Sequence, residues 1–333
     1  LTKLEMTKKN IHDSRVLAVD LGGTKMVAAV VSHDGDIIAR DYQLTQASEG
    51  PQPVITRIGS MMDSLFASVE LVPAELSGIG VACAGAIDMT AGLVTMSPNL
   101  PGWHNIPLRD IIRDRYGVNT FLINDASAAA LGEKHFGAGR GVKDLIYITV
   151  STGIGGGIII DDKLYYGARG GAGEIGHMSI DINGPRCRCG NNGCLEVLAS
   201  GTAVANEAKR RIRTGEKTVL TEITEGNMDS ITAEQVGIAA GRQDTLASDI
   251  ISKAAFYLGI GFTNLVNIFN PEMIIVGGGM ARLGDLLLEP VRRAVQEHAF
   301  RLSAESVRIV TAELGDNAGV LGAAMYAYHK ETC

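Results

Sequence analysis

The chain has 333 residues, too many for one ordinary core, and its length favours two domains. A net charge of −7, a pI near 5.6 and 5% aromatics with a single tryptophan, Trp103, exclude a dedicated nucleic-acid binder, which needs a basic footprint or stacking platforms. With 46% hydrophobic and 20% charged residues the chain is globular, so its 41 glycines, which follow no triplet period, mark tight turns or close approach to a ligand.

The first fourteen residues, LTKLEMTKKNIHDS, lack an apolar core, so no secretory signal is expected. From Arg15, RVLAVDLG reads as a buried strand, GGT as a turn, and MVAAVVSHDGDIIARDYQL as two strands around a DG turn. A helix is expected over residues 53–70, then a strand at LSGIGVACAG, a helix near 108–116 and a strand at TFLIND. The pattern restarts after Gly141, with strand DLIYITVST, turn GIGGG and strand pair IIIDDKLYY. Further on come a helix over 247–269, the strand MIIVGG, a helix over 283–298, the strand VRIVTAEL and a closing helix in DNAGVLGAAMYAYHK. Each half opens with a strand hairpin on a glycine-rich turn, an internal duplication with its boundary near 125–141. The uncharged run 254–271 is only 18 residues long and contains Thr263, Asn264, Asn267 and Asn270. It reads as a buried helix, so no membrane partner is expected and the cytoplasm is the expected location.

Several segments carry chemistry. Asp20-Leu21-Gly22-Gly23-Thr24-Lys25 ends a buried strand with a carboxylate, two glycines, a hydroxyl and consecutive N–H groups that can hold an anion; an ordinary GG hairpin is the alternative. The second turn, Ser151-Thr152-Gly153-Ile154-Gly155-Gly156-Gly157, has too many hydroxyls and glycines for a mere turn. Gly277, Gly278 and Gly279 lie between a strand and a helix, where nucleotides commonly dock. No GxxxxGK[ST] loop occurs, and the GxGxxG string at Gly171, Gly173 and Gly176 lacks a clean preceding strand, so neither a P-loop nor a Rossmann site is expected. Asn124-Asp125 stands at a strand end that opens a helix, and reads equally as a helix cap or as a cleft carboxylate. His177, Cys187, Cys189 and Cys194 form a Cys₃His set for tetrahedral, structural zinc; an unmetallated thiol cluster is the alternative. An odd count of five cysteines argues against a disulfide framework. Glu174 and Glu196 flank the zinc loop, either as acceptors for sugar hydroxyls or as solvated surface acids.

Together, DLGGTK, STGIGGGI, LINDASAAALGE and GGAGEIGHMSI followed by CRCGNNGCLE resemble the ROK family of repressors, open reading frames and kinases, over residues 16–328. The resemblance implies an α/β, actin/hexokinase-like (ribonuclease H-like) duplicated two-lobe fold with ATP and sugar in an interlobe cleft. It implies lobes formed by 1–124 with the returning 316–333, and by 125–315. Asp125 would be the general base, and Asn99, Asn124, Asp125, Glu174, His177 and Glu196 would contact the sugar. Gly22, Gly23, Thr24, Thr152 and Gly153 would face the phosphates of ATP, Lys25 would be among the cofactor-binding residues, Asp20 would act through a water of Mg²⁺, and Gly277 to Gly279 would face the adenosine. His177 would put one ring nitrogen on Zn²⁺ and the other toward a sugar hydroxyl. Ser127 stands where the family commonly has Asn. The implied activity is an ATP-dependent hexose 6-kinase, glucose first, with N-acetylmannosamine, N-acetylglucosamine or fructose as alternatives. A homo-oligomer, dimer or tetramer, is the expected assembly. A sugar-responsive repressor is the other class; the residues before Asp20 are too few for the helix-turn-helix such members carry. An actin-like ATPase leaves the zinc loop unexplained.

Overall fold

In the computed structural model residues 14–331 are described; all but the last residue of the segment in which no secretory signal is expected, and Cys333, lie outside them. The apolar, β-branched runs become strands. β1 (Arg15–Leu21) and β2 (Lys25–Ser32) are buried along nearly their whole length, and β3 (Ile37–Leu44) alternates between half-buried and exposed because it is the sheet edge. Helix α1 (Pro51–Ser68) has prolines in its first turn, where a missing N–H costs nothing, and buries Val54, Ile58, Met61, Met62 and Leu65 along one face. Next come β4 (Gly78–Cys83), a small antiparallel sheet of β5 (Ala86–Asp88), β6 (Leu93–Met96) and β7 (His104–Ile106), then α2 (Leu108–Tyr116), β8 (Thr120–Asn124) and α3 (Asp125–Phe136).

The second half runs β9 (Leu145–Val150), β10 (Ile154–Ile160), β11 (Lys163–Leu164), α4 (Leu195–Ala199), α5 (Gly201–Arg213), α6 (Leu220–Ile223), α7 (Ala233–Gly241) and α8 (Thr245–Phe269). It closes with β12 (Met273–Gly277), α9 (Asp285–His298), α10 (Arg301–Ser306), β13 (Arg308–Thr311) and α11 (Ala318–Glu331). The two five-stranded sheets follow one plan, β3-β2-β1-β4-β8 and β11-β10-β9-β12-β13, the repeated order that the sequence duplication predicts. One unit holds the described residues through Gly141, Gly157–Gly173 and the chain from Glu313; the other holds Val142–Gly156 and Glu174–Ala312.

In the first unit α11 packs on α3, β1, β4 and β8. Close approach is possible because small residues meet there. A Cβ at Gly80 would overlap the Ala323 carbonyl, one at Gly132 the Ala318 carbonyl, and one at Gly322 the Ala128 carbonyl. In the second unit the uncharged run lies in α8, whose residues Ala254, Ala255, Leu258, Phe262 and Val266 are buried. No helix among the described residues is long and apolar enough to cross a membrane.

Two details differ from the sequence reading. The GIGGG stretch is not a turn: β10 begins at Ile154, and the turn is Ser151 to Gly153. Gly157 is needed within the strand because α3 crosses it, and a Cβ would sit 2.5 Å from Ala130 Cβ and 2.8 Å from the Ala126 carbonyl. The helix expected from 283 starts at Asp285, because Gly279–Leu283 winds as a 3₁₀ turn and Gly284, at φ +57°, breaks it.

Candidate functional site

Three parallel strands of the first unit end side by side: Leu21 of β1 lies opposite Cys83 of β4, and Cys83 opposite Asn124 of β8. The carboxyl ends of parallel strands are where α/β sheets collect ligands, since the chain turns there and exposes backbone groups. Asp20 of β1 and Asp125, the first residue of α3, stand at these strand ends, near enough for their charges to interact. The Asp20 carboxyl is pushed from 3.8 to about 7, first by burial and then by the negative charge of Asp125, with Lys25 partly offsetting both and Asp316 adding to them. It keeps a window to solvent, yet protein packed around it makes loss of water the main cause. Cys83 lies within reach of both acids; burial, then Asp125 and Asp20, push its thiol up, so it stays neutral.

The Gly22 to Thr24 turn is tied down from several sides. The Gly22 N–H donates to the Lys25 carbonyl (3.0 Å), the Thr45 N–H to the Thr24 carbonyl (2.9 Å), and the Thr45 hydroxyl to the Gly22 carbonyl (2.7 Å). Gly23 must be glycine because Asn99 packs on it: a Cβ would lie 2.7 Å from both the Asn99 Cβ and carbonyl oxygen. Asn99 itself is held between β6 and β7 by the fully buried Leu100 and Trp103. Lys25 Nζ donates to Asp316 (2.6 Å), and Gly319, in the first turn of α11, lies against the Asp20 carboxylate.

At Asn124-Asp125 the cap is Asn124. Asn124 Oδ1 accepts from the Ala126 and Ser127 N–H groups (3.0 and 3.1 Å), and its Nδ2 donates to the Gly85 carbonyl (3.1 Å). Asn124 is therefore the helix cap, with most of its polar capacity committed to the fold. Asp125 Oδ1 also accepts from the Ala126 N–H (2.9 Å).

In the second unit, the Ser151 N–H donates to the Gly153 carbonyl (2.9 Å), closing the turn between β9 and β10. Glu196, in the first turn of α4, lies against Gly153, and its Oε2 accepts from the Ile154 N–H (3.0 Å). The Thr202 hydroxyl donates to the Thr152 carbonyl (2.7 Å). Beside this turn opens a cavity of about 670 Å³, walled by Thr152, Thr202, Thr232, Ile238, Gly279 and Leu283 among others. That volume suits a nucleoside-sized ligand. The N-termini of α5 and α7 both line it. Of the third glycine cluster only Gly279 lines the cavity. Gly278, at φ +84°, lets the chain pass β9, since a Cβ would lie 2.5 Å from the Val150 carbonyl, and Gly277 has the Tyr147 hydroxyl where its Cβ would be. The walls from α5 and α7 escaped sequence reasoning; the capping box at Thr232 and Gln235 marks a helix start but no ligand.

The donors of His177, Cys187, Cys189 and Cys194 all lie within 4.8 Å of one another. A tetrahedral zinc with Zn–S of about 2.3 Å spaces its sulfurs about 3.8 Å apart. Cys189 Sγ and Cys194 Sγ are 3.6 Å apart, and Cys187 Sγ is 3.7 Å from His177 Nδ1, so the set fits zinc. The knuckle is built from tight backbone bonds, Cys187 N–H to the Asn191 carbonyl (2.7 Å) and Gly193 N–H to the Pro185 carbonyl (2.8 Å). Gly193, at φ +59°, is pressed against the Asp181 carbonyl. A hydrogen bond from the Asn191 backbone lowers the Cys189 pKa, whereas burial pushes Cys194 up to about 12 in the metal-free chain. With Nδ1 turned to the thiols, His177 Nε2 faces Glu174 Oε2 at 3.8 Å.

The ROK family profile matches residues 16–330. The glucokinase of Thermotoga maritima is 37% identical over 314 residues, which cover 93% of this chain and 96% of that protein. A xylose repressor of Caldicellulosiruptor bescii is 35% identical over 307 residues, covering 92% of this chain and 76% of the repressor. The crystal structure of a ROK family glucokinase from Streptomyces griseus, in complex with glucose and AMPPNP, superposes with a TM-score of 0.83 at 34% identity, over 95% of this chain and 100% of that one.

Proposed function

The chain belongs to the ROK family, with its duplicated actin/hexokinase-like fold, and on that footing we propose that it is an ATP-dependent kinase for the 6-hydroxyl of a hexose, glucose first. The observation that carries the reading is the meeting of Asp20, Asp125 and the Gly22 to Thr24 turn at the ends of β1, β4 and β8. The likeness to a glucokinase solved with glucose and AMPPNP supports it.

Asp125 takes the proton of the attacking hydroxyl, a role worth about 10²–10⁴-fold in rate. The charge of Asp125 is one of the causes that hold the neighbouring Asp20 carboxyl up, after burial. Asn99, Glu174, His177 and Glu196 orient the sugar hydroxyls, and Asn124 acts chiefly by fixing the start of α3. Phosphoryl transfer is mostly positioning and charge stabilisation, so N–H groups of the Gly22 to Thr24 and Ser151 to Gly153 turns, with Lys25, hold the phosphates. The cavity beside Thr152, Thr202 and Gly279 takes the nucleoside. Asp20 is an oxygen donor suited to the hydration shell of Mg²⁺, which supplies charge neutralisation at the phosphates. Zinc on His177, Cys187, Cys189 and Cys194 supplies rigidity to the loop that presents Glu174 and Glu196.

A coupled ADP-release assay over glucose, fructose and the N-acetylated hexosamines tests the reading. Turnover with none of them refutes the kinase, and a preferred N-acetylhexosamine or fructose refutes glucose. The likeness to a xylose repressor favours a second reading, a sugar-responsive regulator. Selection of bound DNA fragments, released by sugar, by a chain without kinase activity would establish it.

A further inference from the structure

We infer that Glu133, a residue with no part in the chemistry above, positions the start of α11 against the phosphate-binding turn; this rests on the kinase reading. Glu133 is 0% exposed, and its carboxylate binds backbone amides. Oε2 accepts from Ala138 (2.9 Å) and Glu313 (3.2 Å), and Oε1 from Leu314 (2.8 Å). A buried carboxylate is tolerable only with such donors, and bonds to a charged acceptor are the stronger kind. Two of the three donors belong to the segment that enters α11. Immediately beyond Leu314 the chain makes the 3₁₀ turn Gly315–Asn317, in which Asp316 accepts from Lys25 Nζ (2.6 Å). Gly319 then lies against the Asp20 carboxylate.

Residues 313–319 therefore connect Glu133 at one end to Lys25 and Asp20 at the other. The Lys25–Asp316 pair is about half exposed, with side-chain exposures of 41% and 56%, and such pairs are too weak to hold a turn alone. Glu133 is the buried anchor that sets where Asp316 holds Lys25 and where α11 meets Asp20. It sits near the C-terminal end of α3, whose N-terminus carries Asp125 and is fixed separately by the Asn124 cap. Its loss should reach the nucleotide side of the reaction and spare the sugar side.

The test is Glu133→Gln, which keeps the side-chain size but turns an NH₂ toward backbone donors. Amide hydrogen exchange at Glu313 and Leu314 should quicken about tenfold or more. The KM for Mg·ATP should rise about tenfold, with kcat and the KM for glucose within about twofold of the parent. Unchanged exchange at these amides, or a fall in kcat with an unchanged KM for Mg·ATP, overturns the inference. If Glu133→Gln does not fold, Leu314→Pro removes the one N–H bound by Oε1 at a φ of −81° that proline accepts, and the same outcomes decide. If the parent phosphorylates no hexose, the kinase reading falls and the exchange measurement alone decides the anchor.

Discussion

Asp20→Asn should make the ligand-free protein more stable above neutral pH while weakening its hold on Mg·ATP. The folded chain raises the Asp20 carboxyl from 3.8 to about 7, so between those values the native state keeps a proton that the unfolded chain has released. Stability falls as pH rises through that window, and the loss is complete above about 7. At about 1.36 kcal/mol per pH unit, the window from 3.8 to about 7 sets a ceiling of about 4 kcal/mol. The solvent window at Asp20 screens this to about 1–2 kcal/mol. Asparagine matches the protonated carboxyl in size and never ionises. Urea unfolding of parent and variant, without nucleotide or magnesium, should show the advantage of Asp20→Asn growing by about 1 kcal/mol from pH 5 to pH 8.5, since about two-thirds of the window lies above pH 5. The same variant should show a raised KM for Mg·ATP. An advantage that does not change with pH, or a parent more stable at pH 8.5, refutes burial and Asp125 as the causes of the shift.

Asp125→Ala should lower kcat by about 10²–10⁴-fold. The protein should stay folded, because Asn124 keeps the cap of α3; an active, folded variant removes Asp125 as the base. Metal analysis should find about one zinc per chain. Cys189→Ala should lose that zinc and much of its resistance to unfolding, and a well-folded variant with unchanged metal content would rule the site out. Gly322→Ala should destabilise by about 1–3 kcal/mol, because its Cβ would overlap the Ala128 carbonyl where α11 crosses α3. A change under about 0.5 kcal/mol in urea unfolding would mean that the helices slide apart easily.

The apolar runs behind β1, β4, β8, β9 and β12 are continuous and β-branched, so strands and their duplication could be read directly, as could the compact cluster of one histidine and three cysteines between His177 and Cys194. The glycines were harder. Gly22 and Gly23 do form a turn, but Gly157 serves helix packing and Gly278 serves chain crossing, and no local pattern separates these uses. Glu133 looks like any charged residue of a solvated helix, yet α11, nearly two hundred residues later, buries it.

What the sequence by itself determined is chemistry confined to short segments: strand ends with their acids, turns with their glycines, and thiols a few residues apart. Chain stiffness and the extended strand restrict such neighbours to a few geometries, so spacing is enough. What only the tertiary structure decided is partnership across the chain: Asp125 raising Asp20, Asn99 packed on Gly23, α5 and α7 walling one cavity, and Glu133 holding Leu314. Those partners meet because strand register and helix packing bring distant residues within a few ångströms, and neither is written in any local run of residues.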